Sequence, residues 1–246
     1  MVKGKNIVVT GCLSGIGRQT MATLAKNGAN VIACAFAQSD EFESECEFLS
    51  KGGVSVLPVY FDMMDNDAIK AAARTIQSKK MQVDGLVNIA GINKDALFGM
   101  ITAQDLVDTF QVNCFSQILF SQYIAKLMIR QKTGGSIAFT SSVTAMDGNE
   151  GQVSYGASKA ALIGAMKTMA LELGKHNIRV NCVAPGVIRT PMTEKLSNEL
   201  LDKKIKTMDI PRLGEAEEVA NTFMYLMSDL SSHVTGQTIR VDGGIR

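Results

Sequence analysis

The chain has 246 residues, of which 46% are hydrophobic and 20% charged, an ordinary globular balance whose length suits one doubly wound α/β unit. Its net charge of +1, from 25 Lys and Arg against 24 Asp and Glu, leaves no bulk electrostatic drive toward nucleic acid or an anionic membrane. No apolar run approaches the roughly 18 to 20 residues of a bilayer span, and no charged leader with a long apolar segment precedes Ile7-Val8-Val9, so a cytoplasmic protein is expected.

Residues 5–10, KNIVVT, form a short run rich in β-branched side chains, and GCLSGIG (11–17) follows at once. Residues 18–27 then place Met21, Leu24 and Ala25 at helical spacing and stop at Gly28. This order is strand, glycine turn, helix. Glycines there let the backbone approach a pyrophosphate, and the helix N-terminus offers unpaired N–H groups and a positive dipole end. The pattern continues through VIACAF (31–36), a helix with Phe42, Cys46 and Leu49 on one stripe, and VSVLPVYF (54–61) ending at Asp62. An alanine-rich helix from about 65 to 80 and DGLVNIAG (84–91) come next. Such alternation predicts parallel strands joined by right-handed crossovers, with helices on both faces. Ligands of these sheets bind beyond the carboxyl ends of the strands, where Gly11–Gly17, Asp62 and Asn88–Gly91 all fall.

Thr102 is the predicted N-cap of a long helix reaching about Gln131, apolar at Leu106, Phe110, Leu119, Tyr123 and Leu127 and carrying Asn113 in its interior. The strand GSIAFTS (135–141) leads into the segment 142–159 and a helix reaching about Lys175. On that helix Ala157, Ala160, Ala161, Gly164 and Ala165 make a small-residue face suited to close packing against another helix, as in a second subunit. IRVNCV (178–183) ends at Ala184-Pro185-Gly186. Residues 187–211 are charged, bounded by prolines and apolar at Met192, Leu196, Leu200 and Met208, the pattern of a candidate lid. A last helix (about 215–228) and the strand QTIRV close the chain at Asp242-Gly243-Gly244. No linker or repeat divides it. The expected organisation is one domain over 1–246, with a cofactor-binding half to about 112 and a catalytic and substrate half from about 113.

The chemistry concentrates between Ser142 and Lys159. A four-residue spacing on a helix puts the Tyr155 phenol and the Lys159 ammonium on one face. A free phenol, with a pKa of about 10, is a poor acid or base at neutral pH, and a nearby ammonium favours its ionised form. Ser142, a hydroxyl thirteen residues earlier, is placed to hold a substrate oxygen against them. Taken alone, Tyr and Lys four apart are usually an exposed pair on a helix surface; the glycine turn at the other end of the chain gives the pair its weight. Cys12, Cys34, Cys46, Cys114 and Cys182 are scattered through apolar runs and read as reduced and buried. His176 and His233 show no ligand spacing, and no metal is expected.

Thr10-Gly11-xxx-Gly15-x-Gly17, Asp62, Asn88-x-Ala90-Gly91, Asn113, Ser142, Tyr155-xxx-Lys159 and Pro185-Gly186 with Thr190 occur in this order between residues 5 and 244. In these motifs the chain resembles the short-chain dehydrogenases/reductases. The resemblance implies a Rossmann-type fold with strand order 3-2-1-4-5-6-7, a nicotinamide cofactor and a homotetramer. It implies Tyr155 as general acid for ketone reduction and Lys159 lowering its pKa while holding the nicotinamide ribose. Ser142 would bind the carbonyl oxygen, and Asn113 a water that relays protons through Lys159. The implied cofactor contacts are Gly11, Cys12, Ser14, Gly15, Ile16 and Gly17 along the turn, Phe36 after the second strand, and Asp62 and Met63 at the adenine. They continue with Asn88, Ala90 and Gly91 near the adenosine ribose, Tyr155 and Lys159, and Pro185, Gly186, Ile188 and Thr190 toward the carboxamide. One departure is Ile89, where many members carry a second Asn. A non-catalytic cofactor-binding member would be expected to lose Tyr155 or Lys159, and both are present.

NAD-using members place a carboxylate at the end of the second strand; here the positions read Ala35-Phe36-Ala37-Gln38. The resemblance therefore favours NADP(H) over NAD(H), with Ser14, Gln38 or Ser39 as hydrogen-bond donors to a 2′-phosphate. Against this, Asp40, Glu41, Glu43, Glu45 and Glu47 follow closely, an acidic run that also suits the N-terminus of its own helix. Within the family, INKDALFGM (92–100), IPRLG (210–214) and the closing TGQ and VDGG are most similar to 3-oxoacyl-[acyl-carrier-protein] reductases. That implies NADPH-dependent reduction of a 3-oxoacyl thioester, with acyl carrier protein as partner. Basic residues that meet the carrier near the active-site entrance would correspond to Thr133 and His176, flanked by Lys132 and Lys175. The alternative is an NAD(P)-dependent dehydrogenase of another secondary alcohol, sugar or polyol, which would keep the same residues and differ around 144–153 and in the lid.

Overall fold

The computed structural model describes residues 1–195 and 197–245, so Leu196, one of the apolar lid positions, lies outside the described residues. β1 (Asn6–Thr10), α1 (Gly15–Lys26), β2 (Asn30–Ala35), α2 (Asp40–Ser50), β3 (Val56–Tyr60), α3 (Asn66–Ser78) and β4 (Gly85–Asn88) alternate as the sequence predicts. Then come α4 (Ala103–Phe110), a π turn (Gln111–Phe115), α5 (Ser116–Gln131), β5 (Gly135–Thr140), the single-turn α6 (Thr144–Asp147) and α7 (Val153–Leu173). β6 (Ile178–Pro185), β7 (Ile188–Arg189), α8 (Asn198–Ile205), β8 (Gly214–Glu215), α9 (Ala216–Met227) and β9 (Thr238–Val241) complete the chain. Seven strands form one sheet in the order β3-β2-β1-β4-β5-β6-β9, every pair parallel, and β7 pairs with β8 separately. This is a single-domain Rossmann-type sheet.

Alternation along each strand feeds two cores. Ile7 and Val9 of β1 face Met21 and Leu24 of α1, Phe42 of α2 and Phe223 of α9. Val8 faces the opposite way, into the layer built from Ile69 and Ile76 of α3, Phe120 and Ile124 of α5 and Leu162 of α7. With both faces covered, the strands read as continuous apolar runs. At the β3 edge, Pro58 removes a ladder donor and blunts the edge. Because all seven strands run the same way, their carboxyl ends share one edge, and the loops there carry the residues marked by the sequence.

The predicted helix from Thr102 does begin with a Thr102–Asp105 capping box, but it is not uniform. Residues 111–115 form a π turn, one residue wider than an α-helical turn, and Asn113 sits inside it, fully buried. Such local widenings re-aim a side chain while the helix continues on both sides. The nominal division between halves at 112/113 therefore falls within a continuous helical run. In the candidate lid, Met208 is buried whereas Met192 and Leu200 are exposed. No helix of the described residues is long and apolar enough to cross a membrane.

Candidate active site

The glycine turn is held by close backbone approach. A Cβ on Gly11 would lie 2.8 Å from the Ala90 nitrogen, and one on Gly17 would lie 2.0 Å from the Gly11 carbonyl oxygen. Neither position admits a side chain without moving backbone. Thr10, buried at the end of β1, accepts hydrogen bonds from the Ile89 and Ala90 amides at 2.9 and 3.2 Å and so fixes the loop after β4 against the turn. Ser14 is the N-cap of α1 with no side-chain capping bond, and the first turn of the helix carries no acidic residue. Its N–H groups are thus left for an external anion. The cradle fits the pyrophosphate of a dinucleotide.

Other implied cofactor residues border this opening in different ways. The Cys12 thiol is buried and donates to the Val9 carbonyl, so only the backbone of Cys12 faces the turn. Ile16 is half-buried, Phe36 is 70% exposed, and Asp62 is exposed, with its carboxylate accepting from the Met64 amide. Met63 is buried, as is Asn88, whose side chain turns inward to donate to Ser121 Oγ at 2.9 Å and is no part of the opening's surface. Gln117 donates to the Ala90 carbonyl and holds the same loop from α5. On the far side, Pro185-Gly186 packs against the closing turn, since a Cβ on Gly186 would lie 2.7 Å from the Asp242 Cβ. Ile188 is buried, and Thr190 lies 3.3 Å from where a Gly15 Cβ would stand, bringing the base of the lid to the glycine turn.

Tyr155, in the first turn of α7, is half-buried beside Ser142 at the end of β5. Burial pushes its phenol above the ordinary value, the Ser142 hydrogen bond works in the opposite direction, and the Asp95 charge adds to the rise. Lys159 is 2% exposed; its ammonium donates to the Thr140 carbonyl at 2.8 Å and stands 5.8 Å from the centre of the Tyr155 ring. Burial pushes Lys159 down to about 8. The phenol's net shift is thus upward, and Lys159 is not among its causes. The cation lies against the ring and is held by a carbonyl, and desolvation of the phenol outweighs any gain from it. The ammonium instead faces Gly91, where a Cβ would lie 3.4 Å from Nζ and 3.1 Å from Asn113 Oδ1.

Asn113 uses its amide fully as a donor. Its Oδ1 accepts from the Ile92 amide at 2.8 Å, and its Nδ2 donates to the Ile92 carbonyl at 2.8 Å and to Ser158 Oγ at 3.1 Å. Ser158 in turn donates to the Tyr155 carbonyl. One lone pair of Oδ1 remains on the side chain, so it is chiefly a brace between the β4 loop and α7. Sequence reasoning missed Gln117 and Ser158 as parts of this framework and marked Thr10 only as the head of the glycine motif, not for its bonds to the Ile89 and Ala90 amides. For Ser158 the signal was its place directly before Lys159; Gln117 is a polar residue among apolar ones with no local pattern.

At the adenosine end, Ala35 is buried and carries no carboxylate, but the proposed phosphate donors are not equally free. Gln38 donates its amide to Glu43 at 2.7 Å, and Ser39 accepts from the Phe42 amide while keeping its own O–H. Arg18 is tied to Glu41 at 3.1 Å and Glu45 at 2.7 Å. Thr133 and His176 precede β5 and β6, at the amino edge of the sheet. They are not near the active-site entrance of their own chain, because the six residues of β5 span about 20 Å. All five cysteines are unpaired and buried, and among the described residues no group of three or more His, Cys, Asp or Glu is placed to hold a metal ion.

The chain matches known proteins over nearly its whole length. The sequence model of a family described as enoyl-(acyl carrier protein) reductase matches residues 11–246. The 3-oxoacyl-[acyl-carrier-protein] reductase of Thermotoga maritima is 41% identical over 246 residues, covering 99% of this chain and 98% of that one. The protein of the same name from Aquifex aeolicus is 38% identical over 244 residues, covering 99% and 98%. Among solved structures, a short-chain type dehydrogenase/reductase from Mycobacterium ulcerans superposes with a TM-score of 0.92 at 31% identity, covering 99% of this chain and 90% of that one. A 3-oxoacyl-[acyl-carrier protein] reductase from Brucella melitensis gives 0.91 at 32% identity, covering 99% and 91%.

Proposed function

Because the chain belongs to the short-chain dehydrogenase/reductase family, we propose that it is an oxidoreductase that reduces a 3-oxoacyl thioester to the 3-hydroxyacyl thioester. The observation that carries this reading is the convergence of Tyr155, Ser142 and Lys159 at the carboxyl edge of the sheet, next to an uncapped glycine turn. Full-length relatives named for that reaction support the substrate class.

A nicotinamide cofactor held by the glycine turn, the 88–91 loop, Lys159 and Thr190 would supply the hydride. Ser142 orients the substrate carbonyl oxygen by hydrogen bonding, and Tyr155, protonated at neutral pH, donates the proton that oxygen needs as negative charge develops on it. Lys159 stands where it can bond a ribose hydroxyl and keep the ring of Tyr155 in place. Asn113 and Ser158 fix the height of α7 against the β4 loop. NADPH is the preferred cofactor in this reading, supported by the missing carboxylate after β2 and by the Ser14 and Ser39 hydroxyls. Acyl carrier protein is the natural thioester carrier, and a homotetramer is supported by the exposed Ala157, Ala160 and Gly164 face of α7. The cytoplasm fits five unpaired cysteines.

The test is loss of reduced-cofactor absorbance with NADPH and NADH against acetoacetyl-CoA, crotonyl-CoA and a panel of keto-sugars and simple ketones. Rapid NADPH-dependent reduction of acetoacetyl-CoA is expected. Turnover of crotonyl-CoA alone would move the chemistry to a carbon–carbon double bond, and turnover of keto-sugars alone would replace the acyl substrate while keeping the site.

A further inference from the structure

We propose that Asn149 and Gln152 are positioning residues that couple the α8 segment of the lid to the catalytic tyrosine, an inference that rests on the function proposed above. Gln152 occupies the N-cap position of α7, three residues before Tyr155, yet its side chain makes no capping bond. Its Oε1 instead accepts from Asn149 Nδ2 at 2.9 Å and from Thr144 Oγ1 at 3.1 Å. The free side of the Asn149 amide is used as well: Oδ1 accepts from Lys204 Nζ, on α8, at 2.9 Å. A continuous path of side-chain hydrogen bonds thus runs from the lid through Asn149 and Gln152 to α6, the turn directly after Ser142.

The backbone of the same two residues is bonded as well. Gln152 N donates to the Asn149 carbonyl at 3.2 Å, and the Gln152 carbonyl accepts from Gly156 N at 2.7 Å, which is the first helical bond around Tyr155. Ala96 of the β4–α4 connection donates to the Gly151 carbonyl at 2.9 Å and forms a parallel bridge with Gln152. The turn between α6 and α7 is flanked by Gly148 and Gly151, both with positive φ and open space around them. The turn is thus held by these few backbone bonds together with the side-chain bonds of Asn149 and Gln152, which set where the first turn of α7 begins. When the lid swings away Lys204 leaves, Asn149 loses its outer partner, and the placement of Tyr155 relative to Ser142 loosens.

The test uses the full chain with Lys204→Met, Asn149→Ala, their combination, Lys204→Arg and Gln152→Ala. An exposed hydrogen bond to a charged group is worth a few-fold, so Lys204→Met and Asn149→Ala should each lower kcat on acetoacetyl-CoA by about two- to fivefold, more than either raises KM. The double variant should be no worse than Asn149→Ala alone, because the two act through one bond, and Lys204→Arg should restore most of the loss. Gln152→Ala should lower kcat by about tenfold or more with an unchanged unfolding midpoint. Effects of Lys204→Met and Asn149→Ala that multiply in the double variant, or a Gln152→Ala enzyme with normal kcat, would overturn the coupling. Limited tryptic cleavage supplies a readout independent of turnover: Asn149→Ala should be cut faster than the parent at the lid lysines Lys203 and Lys206. Equal cutting rates would remove the latch even if no 3-oxoacyl thioester were reduced, so the failure of this inference and of the substrate assignment can be told apart.

Discussion

Replacing Lys159 by Met should stabilise the protein at neutral pH while abolishing its activity. Lys159 is fully enclosed, and burial holds its ammonium down to about 8 against an ordinary value of 10.5. That gap corresponds to about 3 kcal/mol of unfavourable free energy in the folded chain wherever both states carry the proton. Met fills a similar volume without the charge. It leaves the Thr140 carbonyl without its donor, a loss of about 1–2 kcal/mol, so the net gain is about 1–2 kcal/mol. At about 2–4 °C per kcal/mol for a chain of this size, the unfolding midpoint should rise by about 2–8 °C. The sign with pH follows from the direction of the shift. Below about pH 8 folded and unfolded chains are both protonated and the penalty is whole; between about 8 and 10.5 the folded chain loses its proton first and the penalty shrinks. The advantage of Lys159→Met should therefore fade across that window. Thermal unfolding of parent and variant at equal protomer concentration from pH 6 to pH 10 measures it. A variant less stable than the parent at pH 7, by a margin that does not change with pH, would refute the reasoning.

Two further substitutions test the site from either end. Tyr155→Phe removes only a hydroxyl, so kcat should fall by at least about 100-fold while the dissociation constant for NADPH, followed by its fluorescence, changes by less than about threefold; retention of most activity would dismiss Tyr155 as the acid. Gly17→Ala places a Cβ 2.0 Å from the Gly11 carbonyl oxygen and must open the turn, so NADPH affinity should fall by about tenfold or more, and a titration within twofold of the parent would mean that the turn does not cradle the cofactor.

The alternation of strand and helix, the glycine turn and the Tyr155–Lys159 spacing were legible because each is a local pattern with a physical reason. The sheet order and the Thr102 cap follow the sequence expectation closely. The π turn at Gln111–Phe115 was not legible, because adding one residue to a helical turn changes no periodicity visible around Asn113. Distances across the sheet were equally hidden. Thr133 and His176 look close to the site in motif order but stand at the opposite edge, since strand direction decides which end of a segment is exposed to ligand. Gln38 reads as a phosphate donor until Glu43, five residues on and one helical turn into α2, is seen to hold it.

The opposite shifts of Tyr155 and Lys159 have one cause, and that cause bears on the direction of chemistry. Burial disfavours whichever form is charged, so it raises the phenol and lowers the ammonium together. At neutral pH the phenol keeps its proton in the free protein, the state that a general acid for carbonyl reduction requires. Oxidation of an alcohol would need the phenolate first, against both desolvation and the Asp95 charge. In the proposed reduction the phenol oxygen's surroundings must change as the proton leaves, and Ser142 is already bonded to it. Lys159, bonded to Thr140 and facing Gly91, borders the slot between the β4 loop and α7. A lysine kept charged only marginally above neutral pH, at a cost to stability, is the arrangement expected where a buried cation serves a bound ligand and not the fold.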